Sequence, residues 1–258
     1  MFYWIIPLAA LLAFVYARRA SWVQFRDKLV ALRTPGFIPP APTVRGWRWQ
    51  CRFSRVLTWI FVGRVRVFGA ENLIAIPVGH SYQVTPNHSH FADIFVLPPI
   101  LNERRMRYMA DPGVMSGFFG LFGLLVSRMG AYAASRKSGL KVVLGGEPQV
   151  IFPEGWTYLD GEMGRCRTGA VNICKSVARE TQQESFLIPV YIKYGRYPGA
   201  WIKRLPIRVQ YLLLFFGFLS FRRGATVQVG KPISSNALPA ADKEAAELLR
   251  SEILKLKP

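Results

Sequence analysis

Cysteine, histidine and acidic residues are scarce in this chain of 258 residues. The three cysteines form neither a CxxC pair nor an even disulfide framework, which favours a reducing compartment. The sequence contains no G-x-S-x-G segment, so it lacks the nucleophile elbow of a Ser-His-Asp hydrolase. Only three histidines are present, and any imidazole chemistry must use them.

The shortage of acidic residues leaves a formal net charge of +19, although 51% of the residues are hydrophobic. A strongly basic protein can bind either nucleic acid or anionic lipid through its surface charge. The high aliphatic and aromatic content favours lipid. We therefore expect anionic membrane lipids, and no nucleic acid, among the partners of this protein.

Long apolar runs are also missing. Residues 2–16, FYWIIPLAALLAFVY, are uncharged, but as a helix they cover only about 22 Å, short of the ~30 Å hydrocarbon core. They either span the bilayer poorly or only dip into it. A signal peptide is the alternative, but no basic segment precedes the run and no clear cleavage site follows it. Arg18 and Arg19 come next, which predicts the cytoplasmic face for the rest of the chain.

Two amphipathic patterns follow this run. In the first, apolar residues recur at steps of three and four, at Trp22, Phe25, Leu29 and Leu32. In the second, beyond a proline-rich break at 34–42, arginines and apolar residues occupy different sides of a helix: Arg45, Arg48, Arg52 and Arg55, and Trp49, Phe53, Leu57 and Ile60. The second pattern is typical of a helix at a membrane surface. Packing of both helices on a soluble core, with solvated arginines, is the alternative.

Strand and helix patterns alternate along residues 64–258. Strand-like segments occupy 64–69, 80–86, 104–110, 131–136, 148–156, 186–194 and 225–233, and helical segments occupy 90–101, 113–130, 169–180 and 240–257. Pro98 and Pro99 are expected to interrupt or end the first of these helices. The alternation predicts an α/β fold with a mostly parallel sheet flanked by helices, and a site at the carboxyl ends of the strands. Residues 1–63 are expected to form membrane-anchoring and interfacial helices, and residues 64–258 the α/β domain.

The segment TPNHSHFAD, residues 85–93, holds two of the three histidines. His88 and Asp93 would lie about 140° apart on a regular helix, so they meet only if His88 lies in the turn before the helix. The carboxylate would then fix the tautomer of the imidazole, whose other nitrogen could take a hydroxyl proton. Alternatively, Asn87 or Ser89 caps the helix, and the negative charge of Asp93 interacts favourably with the positive N-terminal end of the helix dipole. A metal site of His88, His90 and Asp93 would need the strand to continue through both histidines, so that their rings lie on the same side of it.

A second candidate site is FPEGW at residues 152–156, where Glu154 follows a buried strand. A buried carboxylate is costly unless a positive group or a hydrogen-bond donor accompanies it. Arg136, Arg165 and Arg167 lie in neighbouring segments, the last two just before the predicted helix at 169–180. Guanidinium groups and a helix N-terminus both favour anions such as phosphate. A surface turn with solvated charges is the alternative.

Four short blocks, in order between about residues 64 and 235, resemble the glycerolipid acyltransferase family typified by 1-acylglycerol-3-phosphate acyltransferases. The family pattern is Asn-His followed after four residues by Asp, then small residues leading to Arg, then Phe-Pro-Glu-Gly, then an apolar run around Ile-Pro-Val. In this chain the blocks are Asn87, His88 and Asp93; GAYAASR ending at Arg136; Phe152, Pro153, Glu154 and Gly155; and Ile188, Pro189 and Val190.

The resemblance implies that His88 is the general base on the acceptor hydroxyl and that Asp93 orients it. The hydroxyl would attack an acyl thioester directly, without a covalent acyl-enzyme. Residues of the first three blocks and two arginines that follow the third block are expected to bind substrate: Asn87, Arg136, Phe152, Pro153, Glu154, Gly155, Arg165 and Arg167. We expect acyl-CoA or acyl-carrier-protein as the donor, a lysophospholipid as the acceptor, and neither a cofactor nor a metal.

The resemblance thus predicts a membrane-bound O-acyltransferase that makes phosphatidic acid from 1-acylglycerol-3-phosphate. One departure matters: the family pattern continues with Thr and Arg after the third block, whereas this chain has Trp156 and Thr157. Either Arg165 or Arg167 replaces the lost phosphate contact, or the acceptor is a lysophospholipid with a larger headgroup. A CoA-independent transacylase and a membrane-binding protein with a degenerate site are further alternatives. The apolar run 211–219 is too short to span a bilayer and either dips into it, lines an acyl channel or forms a core helix.

Overall fold

The computed structural model of the protein describes residues 27–32, 34, 36–90, 92–101, 104–116, 121–157, 161–195, 204–206, 209 and 223–258. Residues 27–32 are helical and belong to the first amphipathic pattern. The apolar runs 2–16 and 211–219, together with Trp22 and Phe25, lie outside the described residues, so what was predicted for them stays a prediction. Within the described ranges, no helix is both long enough and apolar enough to cross a membrane.

The strands of the described residues form one eight-stranded sheet. They are β1 Val65–Phe68, β2 Ser81–Pro86, β3 Arg107–Ala110, β4 Ala131–Ala133, β5 Gln149–Val150, β6 Ser185–Tyr194, β7 Ala225–Val229 and β8 Ile233–Ser234. Their order across the sheet is β1-β7-β6-β2-β5-β3-β4, with β8 paired to β6. β6 is antiparallel to β7 and β8, whereas the other neighbouring pairs are parallel. The predicted α/β fold with a mostly parallel sheet is confirmed.

Helices cover both faces of this sheet. They are α1 Val44–Phe61, α2 Asp93–Ile100, α3 Pro112–Ser116, α4 Leu121–Arg128, α5 Arg136–Leu144, α6 Gly169–Thr181 and α7 Asp242–Lys255. The single helix expected at 113–130 is therefore two helices, α3 and α4. Gly123 of α4 lies so close to Met115 of α3 that a methyl group there would overlap the Met115 carbonyl, so the glycine allows the two helices to pack together.

Helix α2 continues through Pro98 and Pro99 to Ile100, although a break was expected at these residues. A proline at position 99 cannot donate the helical hydrogen bond to the Phe95 carbonyl. The Thr58 hydroxyl of α1 donates to that carbonyl instead, at 3.0 Å. This partly buried carbonyl is thus satisfied by a neighbouring helix, and the prolines cost α2 less than they would cost an isolated helix.

Strand β6 is buried on both faces of the sheet. Ile188 and Ile192 belong to an apolar cluster with α1 and α2, whereas Leu187 and Tyr191 belong to a second cluster with α6 and α7. The first six residues of β6 pair with β2, from Ser185 to Val190. Residues 191–194 of β6 continue past the end of β2, so the turn that follows β2 lies against this part of β6.

The side of helix α1 that packs on α2 contains both polar and apolar residues, and most of their side chains are small. Its buried residues are Trp47, Gln50, Cys51, Ser54 and Thr58, and the Cys51 thiol donates to the Pro98 carbonyl at 3.3 Å. The arginines Arg45, Arg48, Arg52 and Arg55 are exposed. So are Trp49 and Trp59, whose exposed fractions are 59% and 66%. α1 therefore docks on the core and still presents rings and cations outward. The division between 1–63 and 64–258 stays a prediction.

Candidate active site

His88 and Asp93 meet at the carboxyl end of β2. The His88 Nδ1 donates to the Asp93 Oδ2 across 2.8 Å. His88 lies in the turn after β2 and Asp93 is the first residue of α2, which is the one arrangement in which this spacing brings the side chains together. The residue before α2 is Ala92, so neither Asn87 nor Ser89 caps the helix.

The Asp93 carboxylate is fully buried, and every described contact to it comes from a hydrogen-bond donor. The backbone N–H groups of Ser89 and His90 both donate to Oδ2, at 3.1 Å each. The Tyr194 hydroxyl donates to Oδ1 at 2.6 Å. Together with the His88 ring, these donors stabilise the charged form of a carboxylate that has no access to water.

Tyr194 was not singled out from the sequence, although it completes the site. It is the last residue of β6, and it reaches Asp93 because β6 extends past β2. The only signal in the sequence was a tyrosine at the end of a buried strand, where its hydroxyl needs a partner. That signal does not say which partner, because the neighbour of β6 in the sheet depends on the strand order.

His90 supports the turn through its ring as well as through its backbone. Its Nδ1 accepts the backbone N–H of Ala92 at 3.0 Å, and its ring lies 5.0 Å from that of Tyr194. Burial lowers the pKa of His90, so the ring is neutral at pH 7. Among the described residues, no group of three or more His, Cys, Asp and Glu side chains is arranged to hold a metal ion.

The Phe-Pro-Glu-Gly segment lies directly beside the histidine. The Phe152 ring stacks on the His88 ring with centroids 4.1 Å apart. Glu154 is only 3% exposed, and its two oxygens accept the backbone N–H groups of His88 and Gly164 at 2.7 and 2.6 Å. Burial raises the pKa of Glu154 to about 6, and the two hydrogen bonds oppose that shift. Glu154 therefore joins the His88 turn to the loop at 161–168.

A cationic pocket of about 530 Å³ opens next to Glu154. Arg165 and Arg167 line it, as does Lys243 from the first turn of α7. The Arg167 backbone N–H donates to the Pro153 carbonyl at 2.7 Å, and its side chain lies against Gly155. We call this the first cationic pocket. Lys243 was missed in the sequence, because nothing local connects the closing helix to the Phe-Pro-Glu-Gly segment.

Two residues of the four blocks, Arg136 and Asn87, make their described contacts with other parts of the protein. Arg136 follows β4, three strands from β2, and its guanidinium donates to the Ser176 hydroxyl at 3.3 Å. Asn87 is buried, and its amide pairs with the backbone of Ile192: Oδ1 accepts the N–H at 2.6 Å and Nδ2 donates to the carbonyl at 3.1 Å. Asn87 thus ties the His88 turn to β6, and substrate contacts by either residue stay predictions.

The geometry suits general base chemistry at one nitrogen. Since Nδ1 of His88 is bonded to a carboxylate, Nε2 is the nitrogen that can accept a proton. The His88 side chain is 19% exposed whereas Asp93 is fully buried, so a substrate can reach the imidazole and not the carboxylate. Asp93 orients the ring from one side and Phe152 stacks on it from another, while Glu154 connects the His88 turn to the first cationic pocket.

Comparison with known proteins agrees with this arrangement. The profile of the family described as Acyltransferase matches residues 64–193, half of the chain. The fold is similar to the crystal structure of the 1-acyl-sn-glycerophosphate (LPA) acyltransferase, PlsC, from Thermotoga maritima, with a TM-score of 0.55 and 16% identity over 81% of this chain and 77% of that chain. A comparison with curated protein sequences found no match. The chain belongs to the acyltransferase family, which confirms the enzyme class predicted from its four blocks.

Proposed function

We propose that this acyltransferase moves a fatty acyl group from a thioester donor to the free hydroxyl of 1-acylglycerol-3-phosphate, giving phosphatidic acid. One observation carries the proposal: an imidazole oriented by a buried carboxylate lies beside a cationic pocket. Glu154 connects the two, because it binds the His88 backbone and lines the pocket. A hydroxyl at His88 and a phosphate at the pocket are the two ends of such an acceptor.

In the proposed reaction, His88 Nε2 takes the proton of the acceptor hydroxyl as its oxygen attacks the thioester carbonyl. The bond from that carbon to sulfur then breaks, and the proton passes from the imidazolium to the leaving thiolate. Asp93 stabilises the imidazolium while it exists. Tyr194 holds the second oxygen of Asp93 in place, so the carboxylate keeps its orientation throughout.

The first cationic pocket is proposed to bind the phosphate of the acceptor. Arg165, Arg167 and Lys243 supply three positive groups there, and arginine forks match phosphate oxygens well. They stand in for the arginine that the family pattern places after Phe-Pro-Glu-Gly. Glu154 also lines this pocket, but the three cations outnumber its single negative charge.

A second candidate acceptor is a lysophospholipid with a larger headgroup. Trp156 lines the first cationic pocket and is 47% exposed, where the family pattern has a small threonine. An exposed indole can cover a headgroup that extends beyond the phosphate. The two acceptors are separated by their relative turnover at the same donor concentration.

The protein is proposed to work on the cytoplasmic face of a membrane, with α1 in the interface. Its exposed rings include Trp49 and Phe53, which stack with centroids 5.0 Å apart, and four arginines alternate with them along the helix. Rings favour the acyl boundary and arginines favour lipid phosphates. The enzyme would then meet both an acyl chain and a lysophospholipid where they reside.

The test is acyl transfer from a labelled acyl-CoA to a panel of lyso-acceptors, with and without His88→Ala. Loss of a general base lowers turnover by about 10²- to 10⁴-fold. His80→Ala is the matched control, because His80 precedes β2 at the opposite end of the strand and should leave the rate unchanged. Transfer that needs no thioester would point to transacylation instead. Retained transfer in His88→Ala would overturn the mechanism.

A further inference from the structure

A second cationic pocket opens on the same edge of the sheet as the dyad, and the reaction derived above does not use it. Its volume is about 560 Å³, and its basic residues are Arg64, Arg66, Lys193 and Arg223. None of its lining residues has an acidic side chain. The Lys193 ammonium donates to a backbone oxygen of Pro258, the last residue of the sequence, at 2.9 Å, which leaves the three guanidinium groups as the principal cations.

The floor of this pocket is built from closely spaced backbone. The Gly195 N–H donates to the Gly224 carbonyl at 3.0 Å, and the Ala225 N–H donates to the Arg64 carbonyl at 3.0 Å. Gly224 has a φ of +80°, and a Cβ at Gly195 would lie 2.5 Å from the Arg223 carbonyl oxygen. Glycine is therefore required at both positions. Arg64 and Arg66, two residues apart on an extended chain, project from this floor on the same side.

The two cationic pockets lie on opposite sides of the strand that leads to His88. The first is built on the loop after β5, and the second on β6, β7 and β1, while β2 runs between β5 and β6. β7 is two strand spacings from β2, about 10 Å. Tyr194 links the second pocket to the dyad, because it lines the pocket and its hydroxyl donates to Asp93.

We propose that the second cationic pocket binds the phosphate groups of the CoA part of the acyl donor. The inference rests on the proposed function, in which an anionic donor and an anionic acceptor must occupy the site together. Separate pockets on either side of His88 let both bind without competing. The occupant is a nucleotide and not an acidic carrier protein, since three arginines around one concave pocket match clustered phosphates. A protein partner instead needs about 800 Å² of matching surface.

The experiment measures the KM of the donor in Arg64→Ala/Arg66→Ala. The KM for acyl-CoA should rise about tenfold or more, the effect of losing charged hydrogen bonds. The KM for the acyl thioester of pantetheine, which lacks the nucleotide phosphates, and the KM for the acceptor should stay unchanged. Arg179→Ala removes an exposed arginine near the end of α6, at the opposite edge of the sheet, and should change none of these values.

An unchanged KM for acyl-CoA in the double variant would overturn the inference, and so would an equal rise for both thioesters. Turnover with acyl-carrier-protein and none with acyl-CoA would overturn it as well. CoA binding to the purified protein, measured by calorimetry, tests the pocket without turnover and should weaken in the double variant only. If the native protein transfers no acyl group but CoA binding depends on Arg64 and Arg66, the proposed function fails and the pocket assignment stands.

Discussion

Replacement of Tyr194 by phenylalanine removes one hydroxyl from the site and leaves the ring in place. The hydroxyl donates to Asp93 Oδ1 at 2.6 Å, and the carboxylate is fully buried. A hydrogen bond to a charged group contributes about 1.5–3 kcal/mol. Water cannot replace it at this carboxylate, so the free energy of unfolding should fall by roughly that amount.

The same loss should appear in catalysis as a fall in kcat. Without Tyr194 the carboxylate is held only from the side of His88 and the loop amides, so the imidazole is less firmly oriented. If the lost 1.5–3 kcal/mol is expressed in the transition state, kcat falls about ten- to a hundredfold. The KM values should change little, because the missing hydroxyl faces Asp93 and the variant keeps the ring that lines the second cationic pocket.

The split between kcat and stability gives a readout that a purely structural role would not move. A loss of stability alone lowers the amount of folded enzyme, whereas a misoriented imidazole lowers kcat per folded molecule. The kcat of Tyr194→Phe should therefore fall even under conditions in which the variant is fully folded. Tyr108→Phe is the control, since its buried hydroxyl has no hydrogen-bond partner among the described residues. An unchanged kcat in the folded variant would refute this reasoning.

Three further predictions concern the neighbouring structure. The raised pKa of Glu154 means that the folded protein binds this proton more tightly than the unfolded chain, so native stability gained through this group increases as pH falls from about 6 to 4.5. Relative to Glu154→Gln, which does not titrate, the wild type should gain about 2 kcal/mol in total between pH values well above 6 and well below 4.5, measured in denaturant titrations; a constant difference would contradict the assignment. Gly155→Ala should raise the KM of the acceptor, because Gly155 has a φ of +62° and the new Cβ would lie 2.8 Å from Arg167 Nε. Gly146→Ala is its control, with a φ of +75° and open space around the position; equal effects of both changes on KM would contradict a specific role for Arg167. Trp49→Ser/Trp59→Ser should weaken sedimentation with anionic phospholipid vesicles, whereas Leu144→Ser, which changes an exposed apolar residue of α5, should not; unaltered binding would exclude α1 as the interface.

Local sequence determined much of this molecule. Apolar residues that recur at every second position identified most strands, and apolar residues that recur at every third or fourth position identified most helices. These repeats reflect which side of each element is buried. The spacing of His88 and Asp93 allowed the two side chains to meet across one turn but left helix capping open, and the resemblance to the acyltransferase blocks favoured the pairing. Phe-Pro-Glu-Gly was a candidate site because its carboxylate follows a buried strand, with a surface turn as the alternative. In each case the signal lies within a few consecutive residues.

Contacts between distant parts of the chain were decided only by the tertiary structure. Tyr194 reaches Asp93 across 101 positions, and Lys243 joins Arg165 only when α7 packs beside α6. The proline-containing helix α2 continues because Thr58 of α1 supplies the missing donor. Such contacts depend on the strand order and on which elements pack together, and a linear pattern encodes neither. The sequence by itself therefore determined the candidate site residues that share one turn or one short segment, and the fold decided which distant side chains hold and surround them.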